Sequence, residues 1–399
     1  LEKKPFLKIS WNPFVGEAAF WFLFILNFLS FSSHAALNTL PVYFSSLGIS
    51  HAFVGFFMNI HGAVVVFFVM FFLGFTEGMG KKRMMFLSYG IQLVSYVLMF
   101  LFAWNIPLLV ILRIFSSFSY AVGFTVNAAF AFDTLPVEKR VGGIALFGIS
   151  GILSHPFAAF VGKHILEVSP KGIFLFGAAL VVLALGILFF VEEKPWKKEE
   201  FHAQDVGDVL QKRNLWLYLL LAGVLGGAFG TLSTFVPQQT LQRLGTSFLA
   251  TYFTSYAVVA ILIRVLFSSF LDRVEKNWLL LGGFFLAAMA MIEMAMVRNK
   301  WEVFFVGFLY GIAHTILYPV LSAQVVKESA EEEKFVTNSV LIGSYTLGGF
   351  VISSVLGMFG DRLRTSAIFW GMGMLCFLSA MVILLSTVVW RWNVRGKEA

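Results

Sequence analysis

Six ionisable side chains stand inside stretches of sequence that are otherwise apolar: Arg113, Arg264, His34, His61, His155 and His314. A charge at the centre of a lipid-embedded helix costs about 2.5–3.5 kcal/mol on insertion scales, so such residues face a partner or a wet cavity. Arg113 opens a stripe of Ser116, Ser117, Tyr120 and Asn127 at helical spacing, and Tyr252, Tyr256 and Arg264 share another helix face. Asn38 lies one turn from His34, Asn59 is close to His61, Ser154 precedes His155, and Tyr318 is one turn from His314. Imidazoles titrate near neutral pH and suit proton carriage, whereas guanidinium groups suit anions. Each histidine also reads as a hydrogen-bonded interior residue, and each arginine as a group pinned by backbone carbonyls or bracing its neighbours. Among the histidines, the small neighbours Ser32, Ser33, Ala35 and Ala36 single out His34 as part of an open polar patch.

Acids are missing from these stretches. Glu77, Asp133 and Asp272 fall at helix ends, and Glu293 is peripheral, near the end of its apolar stretch. Without a deep carboxylate a cavity lacks the attraction a cationic ligand needs, which tilts it toward neutral polyols or anions. The single Cys376 excludes an internal disulfide and a multi-cysteine metal site. Neither His-Glu-x-x-His nor a P-loop occurs, so neither a zinc protease nor an ATP-driven pump is indicated and no enzyme activity is expected.

The elements that carry these residues are transmembrane helices. Hydrophobic residues make up 59% of the 399 positions and charged residues 13%, against roughly a quarter charged in a soluble domain. Twelve apolar stretches, near 16–36, 51–73, 84–103, 106–130, 141–162, 172–191, 215–236, 248–270, 277–297, 302–323, 336–358 and 366–389, approach or exceed spanning length. The fold expected is an all-α polytopic membrane protein. With both termini in the cytoplasm, 20 Lys/Arg fall inside, seven outside and two within spans, as the positive-inside rule requires. The net charge of +7 therefore reports topology and anionic lipid, not nucleic acid. The first apolar run is of spanning length and reads as a signal anchor.

A mixed-charge segment, 192–214, separates an N-terminal six-helix bundle (1–191) from a C-terminal one (215–399), and within it Val206–Lys212 reads as a short amphipathic surface helix. Landmarks recur between the halves at a steady offset. Glu77-Gly-Met-Gly-Lys-Lys-Arg83 returns as Asp272-Arg-Val-Glu-Lys276, Leu47-Gly48 as Leu244-Gly245, and Asp133 as Glu328. Internal repeats of this kind recur in secondary transporters.

Twelve spans, a charged central loop and an acid-bearing turn after spans two and eight resemble the major facilitator superfamily. Its turn reads roughly Gly-x-x-x-Asp-Arg-x-Gly-Arg-Lys. The first copy keeps an acid at Glu77, with Gly80, Lys81 and Lys82, but has Leu73 and Gly78 for the first Gly and the Arg; the second keeps Asp272, Arg273 and Lys276, with Ser268 and Glu275 for the glycines. Asn38-Thr-Leu-Pro-Val-Tyr43, Asp133-x-x-Pro136-x-x-x-Arg140, and Gly311 with Tyr318-Pro319 resemble the sugar-efflux and drug-efflux-like (arabinose efflux permease-type) branch. Arg113 stands where the superfamily's fourth-span motif has its Arg, with Ser116, Ser117 and Ser119 for the Gln and glycines, and His155 replaces the Gly of the exporter motif before Pro156.

The resemblance implies two pseudo-symmetric six-helix bundles that rock around a midplane site. It implies a conformational latch at Glu77, Gly80, Lys81, Asp272 and Arg273, and substrate or proton-coupling roles among His34, Asn38, His61, Arg113, Tyr120, Asn127, His155, Tyr256, Arg264, His314 and Tyr318. The function it implies is export of a sugar-like or amphipathic compound driven by proton entry, without a cofactor or a metal. Partners would be a small-molecule substrate and the lipid bilayer, with the chain a monomer in a bacterial inner membrane. Uptake of an organic anion or metabolite, or a non-transporting sensor that keeps the fold, are the alternatives.

Overall fold

The structure is a computed structural model, which describes residues 18–71, 79–135, 140–192, 203–266, 274–330 and 333–398. Apolar runs in lipid must satisfy every backbone polar group internally, which leaves helices as the solution here. Span one runs from Ala18–Ala36 through a 3₁₀ turn, Leu37–Thr39, into Leu40–Ser46. Span two is His51–Asn59 followed by His61–Phe71, interrupted at Ile60. Span three is Lys81–Leu101. Span four comprises Ile106–Val122, a π-helical turn at Gly123–Asn127, and Ala128–Asp133. Spans five and six are Arg140–Val168 and Gly172–Phe190. A linker helix, Ala203–Gln211, leads to span seven, Trp216–Leu244. Spans eight to twelve are Leu249–Leu266, Lys276–Met296, Lys300–Lys327, Lys334–Arg362 and Thr365–Glu398.

Among the described residues, eleven helices are long and apolar enough to cross a membrane, and the 29-residue Arg140–Val168 is the twelfth span. Several helices outrun their apolar cores. Span seven continues eight residues past 236 to Leu244, and the polar side chains there find partners inside the protein: Gln238 Nε2 donates to Ser45 Oγ (2.6 Å) and Gln239 Nε2 to the Ala295 carbonyl (3.1 Å).

The spans alternate in direction, so the start of span one and the end of span twelve share one face, here the terminal face. On the opposite face, the Ser50 hydroxyl accepts from Phe53 N (3.2 Å) to cap span two. Asn105 caps span four by accepting from Leu108 N (3.1 Å), and Asn299 caps span ten by accepting from Trp301 N (2.9 Å). Spans one and seven both end there on a left-handed glycine, Gly48 (φ 69°) and Gly245 (φ 76°). A side chain is strained in that conformation, which explains why Leu-Gly recurs in both halves.

Packing repeats as the sequence does. Span one packs on five and six, three on four and six, and two on four; in the second half, seven packs on eleven and twelve, nine on ten and twelve, and eight on ten. The halves meet where span two lies along eleven and five along eight, and where the end of span one reaches seven. Spans seven and eleven approach closely: a Cβ on Gly226 would stand 1.7 Å from the Tyr345 carbonyl, so only glycine fits. Outward-facing Phe160, Phe189 and Phe190 are exposed and meet lipid rather than water.

At the terminal face the linker helix buries Val206 and Val209. Lys212 pairs with Glu333 at the start of span eleven, and Asn214 Nδ2 donates to Glu328 Oε2 (2.9 Å). The hydrogen bond from Lys212 holds the Glu333 carboxyl below the usual carboxylate range. Lys81 pairs with Asp133 inside the first half, and Gly80 (φ 82°) turns the chain into span three. Glu77, Asp272 and Arg273, the other members of the expected latch, lie outside the described residues.

Candidate functional site

A cavity of about 350 Å³ lies between the two halves. Ten of the eleven sequence candidates line it: His34, Asn38, His61, Arg113, Tyr120 and His155 from the first half, and Tyr256, Arg264, His314 and Tyr318 from the second, the first four spans contributing several of these. Asn127 is buried, and its Nδ2 donates to Asn27 Oδ1 (2.7 Å), so it holds a lining residue. No Asp or Glu lines the cavity among the described residues.

The first half's wall is built on interrupted helices. Beside the break at Ile60, Arg113 Nε donates to the Phe57 carbonyl (3.3 Å) and Nη2 to the Met58 carbonyl (3.0 Å). The Met58 carbonyl also accepts from His61 Nδ1 (3.1 Å), which fixes that proton on Nδ1. Arg113 is thus clamped by span two while its buried Nη1 is left without a partner in the protein. Irregular backbone is tolerated at membrane depth where it faces protein or a wet cavity, and broken helices mark transporter sites. Tyr120 packs its ring on His61 and His34, with centroids at 4.7 and 5.1 Å.

Behind this wall, His34 Nε2 lies 3.1 Å from the Ser116 carbonyl. A carbonyl only accepts, so Nε2 carries the proton and Nδ1 of the neutral ring accepts from Gln92 Nε2 at 3.1 Å. Gln92, fully buried, also donates to Ser33 Oγ (2.8 Å) and accepts from Ser119 Oγ (2.7 Å). The Ser30 carbonyl lies 3.3 Å from the same Nδ1, so a second proton on the ring has an acceptor waiting. Sequence reasoning did not single out Gln92, although a Gln inside an apolar span was a visible signal.

The second half supplies an aromatic wall. His314 bridges two tyrosines: Nδ1 meets Tyr256 OH and Nε2 meets Tyr345 OH, both at 3.0 Å. Tyr318 stacks on the His314 ring at 6.2 Å. His155 reaches across from the first half and stacks on Phe253 (4.8 Å) with Phe229 at its edge (5.5 Å). Arg264 lies against span five, where a Cβ on Gly148 would stand 2.6 Å from its Nη1. Tyr345 and Phe229 were not among the expected residues; nothing in their spacing separates them from ordinary packing aromatics. Hydroxyls, amides, imidazoles and aromatic faces around two guanidiniums can hydrogen-bond and stack a polar ring, and can neutralise an acidic group on it.

Comparison with known proteins agrees with this architecture. The curated relatives include the "Probable sugar efflux transporter" of Helicobacter pylori (strain G27), 22% identical over 385 residues, covering 91% of this chain and 96% of that one. The "Multidrug resistance protein MdtG" of Proteus mirabilis (strain HI4320) is 24% identical over 323 residues, covering 77% and 79%. Among solved structures, the nucleoside transporter NupG superposes with TM-score 0.78 at 15% identity, over 92% of this chain and 99% of that one. The human organic anion transporter MFSD10 gives 0.68 at 15% identity, over 92% and 98%. Identities this low carry the fold alone. The sequence pattern of the Major Facilitator Superfamily matches residues 20–337 and 252–399, and with twelve spans in two repeated halves around a shared cavity this chain belongs to that superfamily.

Proposed function

We propose that this transporter exports a sugar-like or amphipathic small solute by alternating access, driven by proton entry. The observation that carries the reading is the cavity: residues of both halves line it, and it offers hydroxyls, amides, imidazoles and aromatic faces but no carboxylate among the described residues. A neutral polyol is recognised by such groups through hydrogen bonds and stacking, whereas a cationic drug would find no counter-charge. Relatives named as probable sugar efflux transporters support the direction and the substrate class. The excess of Lys/Arg at the terminal face supports cytoplasmic termini in a bacterial inner membrane, and one chain supplies both halves of the cavity, as a monomer requires.

Arg113 Nη1 and Arg264 favour a second reading, uptake of an organic anion, in which a carboxylate or phosphate offsets two desolvated guanidiniums. A thermal-shift screen of the purified protein against sugars, organic anions and hydrophobic cations selects the class. Counterflow in proteoliposomes with and without a pH gradient then tests coupling. Sugar counterflow that accelerates with an inward proton gradient supports export, whereas stabilisation by anions alone, with flux indifferent to pH, overturns it.

A further inference from the structure

The proton-coupled reading above leaves open what makes the outer face close in response to protons, and that face carries a group suited to it outside the cavity. There, span two of the first half begins against the end of span eleven of the second. Asp361 Oδ1 accepts from His51 N (2.6 Å) and Oδ2 accepts from Ala52 N (3.0 Å), so a carboxylate of one half caps a helix of the other. The His51 ring completes the contact, with Nδ1 2.9 Å from the same Asp361 Oδ1 and Nε2 2.9 Å from Thr365 Oγ1.

The hydrogens in this cluster can be counted. The Thr365 hydroxyl donates to Gln242 Oε1 (2.7 Å), so toward His51 its oxygen accepts, and Nε2 must carry a proton. A neutral imidazole has one proton only, which would leave the Nδ1 lone pair facing a carboxylate oxygen. The geometry is satisfied when one further proton sits between Nδ1 and Oδ1, on either atom. Other charges leave the pair alone: Arg243, near the end of span seven, donates to the Ala295 carbonyl (3.4 Å). Arg362 and Arg364 are exposed and make no ion pair with Asp361 among the described residues. Solvent reaches the site, as the His51 and Asp361 side chains are 20% and 28% exposed.

We infer that His51 and Asp361 form a proton-operated clamp on the opposite face, in which taking up one proton from that face holds the two halves together there. Proton loss leaves a lone pair against a carboxylate and weakens the only ion pair between the halves among the described residues. The clamped state therefore holds more protons than the opened one. By linkage the clamp is favoured as pH falls and released as pH rises, and this is the direction an exporter needs. A proton arriving from outside closes the outer face and turns the cavity inward.

The inference rests on the proton-coupled reading but is tested apart from it. Spin labels are placed at Leu47 and Leu363, exposed residues of the two halves on this face, in a Cys376→Ser background. Their distance distribution is measured from pH 5.5 to 8.5 in the full-length protein without substrate. The wild-type pair should shift from short to long distances as pH rises, the closed-to-open ratio falling by up to tenfold per pH unit, the limit for one proton. Asp361→Asn, which removes the carboxylate that shares the proton, should lose the pH response. His51→Gln should also lose the pH response, which keeps the test valid if one variant fails to fold by gel filtration. A pH-independent wild type, or a variant with the wild-type response, overturns the inference. A clamp that titrates in a protein whose solute flux ignores pH gradients overturns the proton-coupled reading instead.

Discussion

Arg113 shows how one side chain can brace a helix break and still line the cavity. Two of its nitrogens stitch span four to the break in span two, and the third, Nη1, has no protein partner at the cavity wall. Arg113→Ala removes the side-chain donor to the Phe57 carbonyl and leaves the Met58 carbonyl with His61 Nδ1. A loss of about 1–3 kcal/mol is expected, the usual cost of a buried polar group left unsatisfied, visible as a lower Tm in detergent. Arg113→Lys should recover part of that stability but not transport, because an ammonium cannot spread donors over two carbonyls and the cavity. Gly148 gives a complementary test. A methyl there stands 2.6 Å from Arg264 Nη1, the far end of a flexible side chain, so Gly148→Ala should move the guanidinium at little cost in stability. A raised KM in counterflow with an unchanged Tm is the expected result. Equal kinetics would remove Arg264 from the substrate path.

The elements differ between the halves more than the repeat suggests. Spans one, two and four are interrupted at Leu37–Thr39, Ile60 and Gly123–Asn127, beside Asn38, His61 and Asn127, while spans seven and ten run unbroken. Span seven stays helical through Pro237 and span ten through Pro319. These interruptions were not legible in the apolar pattern, because a one-turn change of helix type alters no hydropathy. The Leu-Gly ends of spans one and seven were legible, since a left-handed turn demands glycine. The linker helix was legible too, from alternating charge and valine, and its tie to span eleven makes a testable element. Glu333 is held below the usual carboxylate range by Lys212. Its contribution is therefore present throughout neutral pH and lost only as pH falls through that depressed value. Glu333→Gln should speed hydrogen exchange of the 203–211 amides at neutral pH, and unchanged exchange would show that Val206 and Val209 alone hold the helix.

At the scale of the molecule, the repeat in the sequence returns as a repeat in packing, and the cavity lies at the seam between the copies. The candidates were readable because a polar residue in an apolar run is conspicuous. The clamp of His51 and Asp361 was not, since both stand at span ends where polar residues are ordinary, and 310 positions separate them. Only the closing of one half on the other brings them together. The seam also offers the most direct test of alternating access. Gln238 Nε2 of span seven donates to Ser45 Oγ of span one (2.6 Å), joining the halves on the opposite face. Cysteines at these two positions, in a Cys376→Ser background, can be cross-linked by oxidation in proteoliposomes while counterflow of a labelled disaccharide is followed. The account predicts that cross-linking abolishes counterflow and that reduction restores it; full counterflow through a completely cross-linked protein would contradict it.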